Sequence, residues 1–181
     1  MYSHVLIVGG TGMLREASQT LSAQARRITS VALTPQSLAA LDASLPEGHG
    51  AHHMLALDWS KPDLFLQKIA EHINRTEQPN LVLAWMHDES LAIRLASAVG
   101  NGRVAFFHIV GSSRTNPAQI AERAKSAVGS FAGLTYYQVI LGAKRHGSTF
   151  RWLTNQEISA GILTAIEQRK SRFVVGTLEQ W

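Results

Sequence analysis

Val5-Leu6-Ile7-Val8-Gly9-Gly10-Thr11-Gly12-Met13-Leu14 is the stretch that decides the fold: an apolar run breaks into glycines and continues as helix-compatible sequence to Ala25. It reads as strand, tight turn, helix. Gly9 and Gly12 permit a sharp turn and a close approach of backbone to a ligand. The N–H groups that open the following helix point outward as an anion site. A nucleotide pyrophosphate fits such a site, and this order at the head of a strand/helix repeat forms the first half of a dinucleotide-binding unit. A glycine turn can also be purely structural, so the reading rests on the pattern of the chain beyond it.

That pattern is an alternation of strands and helices. Ile28 to Leu33 reads as a second strand closed by Thr34-Pro35, and Pro35 suits the first turn of a helix through Leu38 and Leu41. Met54 to Leu57 is a short third strand ending in Asp58-Trp59-Ser60, with Ser60 as the expected cap of a helix through Phe65, Ile69 and Ile73. Leu81-Val82-Leu83-Ala84-Trp85 is almost wholly apolar, as a central parallel strand buried on both faces should be. It ends at Met86-His87-Asp88, before a helix through Leu91, Leu95 and Val99 that stops at Gly-Asn-Gly. Arg103 to Val110 is a fifth strand ending in Gly111-Ser112-Ser113, and Asn116-Pro117 opens another helix. Thr135 to Leu141 is a sixth strand. A hairpin turn comes next over Lys144 to Thr149, then a capping box at Thr154-Asn155-Gln156-Glu157 and a last strand at Phe173-Val174-Val175.

This alternation predicts an α/β, Rossmann-like, doubly wound and mainly parallel sheet of about seven strands with helices on both faces, as one domain over residues 1–181. In such sheets ligands sit at the carboxyl ends of the strands. That rule collects Gly9 to Leu14, Leu33-Thr34, Asp58-Trp59, Trp85-Met86-His87 and Gly111-Ser112-Ser113 around one cleft.

Composition narrows the classes. With 45% hydrophobic and 17% charged residues the 181-residue chain is neither disordered nor fibrous. It has no cysteine, hence no disulfide framework and no thiolate chemistry, which suits a cytoplasmic setting. No stretch reads as a membrane span or a leader. The formal charge of +4 is dispersed rather than gathered with exposed aromatics, so nucleic acid is not the expected partner. His49, His52 and His53 lie in the segment Pro46 to His53, read as a polar loop. A glycine-flexible loop does not force ligands to converge, and no metal is expected there. The apolar tail Phe173-Val174-Val175 with Leu178 and Trp181 suggests an edge covered in a homodimer.

The end of the second strand bears on cofactor choice. A carboxylate some 20 residues beyond the glycine turn usually holds the adenosine ribose hydroxyls of NAD. Val31-Ala32-Leu33-Thr34 has none, and Asp42 is expected in mid-helix. NADP is therefore preferred, with NAD as the other choice, although no arginine stands at this strand end either.

The glycine turn, Asp58 and the serines after the fifth strand together resemble the short-chain dehydrogenase/reductase superfamily, in particular its short atypical members. The resemblance implies an oxidoreductase acting on a small carbonyl or alcohol. It would place Gly9, Gly10, Thr11, Gly12, Met13 and Leu14 at the pyrophosphate, Asp58 and Trp59 along the adenine, and Trp85 and Met86 towards the adenosine ribose. Thr34 and Gly111 would also lie against the cofactor, and Ser112 would stand at the catalytic serine, or Ser113 if the register slips by one. Two departures matter. The family's third glycine falls at Arg15, so either the turn is looser or Arg15 is a phosphate ligand. No Tyr-x-x-x-Lys occurs: Tyr2, Tyr136 and Tyr137 are followed four residues later by Leu6, Ile140 and Leu141. Hydride transfer usually needs a proton donor, which leaves His87, Lys125 or Tyr137 as substitutes. The alternative is a non-catalytic NADP(H)-binding sensor or regulatory protein.

Overall fold

The computed structural model describes residues 1–100, 102–111, 126 and 133–178. Ser112, Ser113 and Lys125, the helix opening at Asn116, and Trp181 lie outside the described residues.

The chain runs β1 (Tyr2–Val8), α1 (Arg15–Gln24), β2 (Ala25–Ala32), α2 (Pro35–Asp42), β3 (Ala51–Ala56), α3 (Pro62–Arg75), β4 (Leu81–Trp85), α4 (Glu89–Val99) and β5 (Val104–Gly111). It continues with β6 (Leu134–Leu141), the pair β7 (Ala143–His146) and β8 (Thr149–Trp152), α5 (Asn155–Gln168) and β9 (Arg172–Val175). Seven strands form one sheet in the order β3-β2-β1-β4-β5-β6-β9, and every pairing in it is parallel. The order reverses between β1 and β4, the crevice where doubly wound sheets bind ligands.

The apolar run that opens the chain explains the layering. Strand side chains alternate, and all of Val5, Leu6, Ile7 and Val8 are fully buried because both faces are covered. Val5 and Ile7 share a core with Leu14 and Leu21 of α1 and with Ile158 and Ile162 of α5. Leu6 and Val8 share the other core with Phe65 and Ile69 of α3 and Leu91 and Leu95 of α4.

Three local expectations change. First, β3 starts at Ala51, so His52 and His53 belong to a strand and not to a loop. They pair in register with Ile28 and Thr29 of β2, and Gly50 is so close to β2 that a Cβ would lie 2.1 Å from the Ala25 carbonyl oxygen. Second, α2 ends at Asp42 rather than running past it, and the Asp42 carboxylate pairs with His52 Nδ1 at 2.7 Å. Third, Ser60 does not cap α3: its N–H donates to Asp58 Oδ1 at 2.9 Å, and Lys61 precedes the helix without a side-chain cap. Among the described residues, no helix is long and apolar enough to cross a membrane.

Candidate functional site at the carboxyl edge of the sheet

The glycine turn between β1 and α1 is fixed by its carbonyls. The Gly10 oxygen accepts from Ser18 Oγ at 3.1 Å, Thr11 oxygen from Arg15 Nε at 3.2 Å, Gly12 oxygen from the Arg15 N–H at 3.0 Å, and Met13 oxygen from Ser159 Oγ at 3.0 Å. The Gly9 N–H reaches across to the Val31 carbonyl at 2.9 Å. Among the described residues, the N–H groups of Gly10 to Leu14 make no close, well-aligned hydrogen bond. Helix α1 also starts without a side-chain cap at Leu14, whereas Thr34, Asp88 and Thr154 cap α2, α4 and α5. Acceptors satisfied and donors open is the pattern of an anion cradle.

The three glycines serve different needs. Gly9 has φ +79° and lies under Trp85, whose Cβ and Cδ1 would be 3.2 Å from an added Cβ. At Gly10 a Cβ would fall 2.6 Å from Ser18 Oγ and 2.7 Å from Ile7 Cγ2, so this residue makes the close helix–strand contact. At Gly12 a Cβ would meet nothing within 4 Å. The chain's own packing does not demand that glycine, and the space beside it is open to a ligand. The turn is therefore not loosened by Arg15. That side chain stays out of the helix–strand contact and folds back along the turn, half-exposed, on the Thr11 carbonyl.

Beyond the turn, Trp85 spans the strand ends. Its pyrrole edge lies against Gly9, and its far atom Cη2 would be 3.8 Å from a Cβ at Gly111. The indole borders a cavity of about 290 Å3 lined by Met13 of the turn, by His87, Gly111, Leu141 and Gly142 at the strand ends, and by Trp152, Leu153 and Ile158. His87 is exposed and its ring stands edge-on to Trp85 at 4.9 Å. Between these two residues the backbone is held from below: His108 Nε2 donates to the Met86 carbonyl at 3.1 Å, and the Tyr136 hydroxyl donates to His108 Nδ1 at 2.7 Å. Burial lowers the His108 pKa to about 4 and raises that of Tyr136, so both groups stay neutral.

The structure distributes the sequence candidates unevenly. Gly9 to Met13, Trp85, His87 and Gly111 gather around turn and cavity. Leu14 is fully buried beneath the turn and offers only its N–H. The Met86 side chain is buried against α3 and α4, leaving its backbone at the edge. Thr34 caps α2, accepting from the Ser37 N–H at 3.3 Å. Asp58 accepts from Ser60, and those hydrogen bonds hold its carboxyl below the usual range, while neighbouring Trp59 is 45% exposed. Tyr137 is a core residue: it is buried, stacks on Phe107 with ring centroids 4.5 Å apart, and lies four residues down β6 from the cavity residue Leu141. The sequence reading does not identify Leu141, Gly142, Trp152, Leu153 and Ile158, because only the return of the β7–β8 hairpin and α5 over the strand ends brings them together.

A second constellation lies towards the β3 edge of the sheet. Ser30 Oγ is 2.9 Å from His52 Nε2, and His52 Nδ1 is 2.7 Å from Asp42 Oδ1. The residue types and distances match a serine–histidine–aspartate relay. Ser30, however, is completely buried, so no substrate reaches its hydroxyl. Among the described residues, no group of three histidine, cysteine or acidic side chains is arranged to hold a metal.

Fold and edge geometry together define a doubly wound parallel sheet with a glycine turn and a cavity at its carboxyl edge. More narrowly, the fold is that of the short-chain dehydrogenases/reductases. The chain is similar to the bulky-bulky ketone specific alcohol dehydrogenase from Comamonas testosteroni, with a TM-score of 0.75 and 14% identity over 99% of this chain and 89% of that one. It is similar also to a short-chain dehydrogenase from Sphingobium yanoikuyae in complex with NADPH, with a TM-score of 0.73 and 16% identity over 95% and 87% of the two chains. A metagenomic short-chain oxidoreductase in complex with NADP gives a TM-score of 0.67 and 14% identity over 97% and 98%. No protein-family model and no curated protein matches the sequence.

Proposed function

We propose that this chain binds NADP(H), or less favourably NAD(H), and acts as an oxidoreductase on a small carbonyl or alcohol compound. One observation carries the reading: the glycine turn has its carbonyls satisfied and its N–H groups open, beside a glycine whose missing Cβ leaves free space. Those N–H groups would receive the pyrophosphate, and the Arg15 guanidinium, already lying along the turn, would add charge to it. When bound, the nicotinamide supplies or accepts a hydride. Binding of NADPH by one structural neighbour and of NADP by another supports this cofactor class. The preference for NADP rests on the end of β2, where no carboxylate stands to hold the ribose hydroxyls of NAD, while the next one, Asp42, is engaged by His52. Asp58 and Trp59 would flank the adenine.

His87 is the one general acid–base side chain among the described cavity-lining residues. In this reading it exchanges a proton with the substrate oxygen, in place of the tyrosine and lysine that the sequence lacks. Ser112 would assist by donating to that oxygen. The chain would work in the cytoplasm as a homodimer, with the region around β9 as the covered edge. Light scattering at micromolar concentration should then give twice the monomer mass, and a monomer contradicts the dimer.

The absence of Tyr-x-x-x-Lys and the burial of Tyr137 favour one second reading, a binder of NADP(H) without turnover. NADPH consumption across a panel of ketones and aldehydes separates the two. The enzyme reading predicts at least one substrate, and a tenfold or larger fall in kcat for His87→Gln with NADPH affinity unchanged. Unaltered kcat in that variant removes His87 from catalysis. NADPH binding with no consumption by the wild-type chain leaves the binder.

A further inference from the structure

Resting on the oxidoreductase reading, we infer that the substrate is a carbonyl or alcohol compound with a flat aromatic body that lies against Trp152. The hairpin sets this up. In the β7–β8 register Ala143 faces Trp152 and Arg145 faces Phe150, so these four side chains share one face, while Lys144 and Arg151 share the other. The second face is tied to α5: Glu157 takes Lys144 Nζ at 2.6 Å and Arg151 through both guanidinium nitrogens at 2.8 Å. Two cations of the hairpin are thereby turned to a carboxylate.

The first face carries the aromatic groups. Trp152 borders the cavity and is 62% exposed, and Phe150, next along the same face, is 36% exposed. Adjoining exposed aromatics mark a binding surface more often than a bare exterior, and an indole prefers to stack offset or edge-on with another ring. Arg145, at the outer end of this face, bonds its own turn through Nε at the Gly147 carbonyl, 3.2 Å away. The described cavity lining continues the apolar surface with Trp85, Met13, Leu141, Leu153 and Ile158.

The test is calorimetric titration of the NADPH-saturated chain with 2-acetonaphthone and, separately, with acetoacetate, in the wild type, Trp152→Ala and Trp152→Phe. Thermal melting first confirms that each variant is folded. The inference predicts saturable binding of the aromatic ketone, at least tenfold weaker binding in Trp152→Ala, recovery to within about threefold in Trp152→Phe, and no saturable binding of the keto acid. Acetoacetate binding as tightly as the ketone, ketone binding indifferent to Trp152→Ala, or no ketone binding to NADPH-loaded protein would each overturn it while leaving the cofactor reading intact. If NADPH itself does not bind, the cofactor reading fails. Ketone titration of the free chain then decides the aromatic site alone: Trp152-sensitive binding upholds it, and no binding overturns it.

Discussion

The carboxyl edge around Gly9 to Met13 and the polar cluster around β2 and β3 differ in what they leave open. At the edge the backbone acceptors are consumed and the donors are free, with a cavity alongside. In the cluster the hydroxyls and imidazoles are turned inward, and only the Asp42 carboxylate stands at the surface. Ser30, His52 and Asp42 hold one another on one face, and on the other His4 Nδ1 is 2.6 Å from the Glu77 carbonyl while Thr29 Oγ1 lies between His4 Nε2 at 2.8 Å and His72 Nε2 at 2.9 Å. The cluster has the more recognisable catalytic side chains, and it is closed. Access and unsatisfied bonding capacity, more than residue type, separate a site from a strut.

The largest expected effect comes from acid acting on buried histidines, His4 in the closed cluster and His108 beneath the edge. Burial lowers His4 and His108 from the ordinary 6.5 to about 4, and burial is also the first cause of the lowered values of His53 and His72. These shifts are downward, so the unfolded chain takes up protons first. The stability they contribute is complete above about pH 6.5 and is lost as the pH falls towards 4. For His4 and His108 together the loss is on the order of several kcal/mol. Denaturant unfolding at stepped pH checks it, and a flat profile between pH 7 and 5 contradicts it.

A pair of substitutions sharpens the contrast. Ser30→Ala leaves His52 Nε2 without its partner and should cost about 1–3 kcal/mol of stability, with no change in NADPH affinity. Gly12→Ala should do the reverse. Its Cβ meets only open space, so stability should stay within about 0.5 kcal/mol while NADPH binding weakens more than tenfold. Denaturation and calorimetry on both variants suffice. Loss of NADPH binding in Ser30→Ala, or its retention in Gly12→Ala, would reverse the assignment of the two regions.

Arg15→Ala should give the smallest effect: NADPH affinity about five- to tenfold lower, in keeping with loss of one charged contact, and a lower salt dependence of binding. Unchanged affinity would make Arg15 a clasp for the Thr11 carbonyl alone.

How far the sequence could be read depends on the range of the forces involved. The apolar runs of β1, β4 and β5, the proline-opened α2 and the Thr154–Glu157 capping box are local signals, and each element forms where it is expected. The start of β3 is not local, because His52 and His53 become strand only by pairing with β2. Glycine spacing marks Arg15 as the anomaly of the turn, yet the tight contact with Ser18 falls on Gly10, which only packing reveals. The exposed Trp152 gives no periodic signal, and its place beside the cavity depends on the hairpin folding back over Leu141 and Gly142. Tyr137, a candidate by residue type, is fixed in the core by its stack on Phe107.

The central claim, that the open donors of the glycine turn hold a dinucleotide, is tested most directly by calorimetric titration of the wild-type chain with NADPH and with NADH. The account predicts saturable one-site binding of both, tighter for NADPH. Absence of binding by either would contradict it.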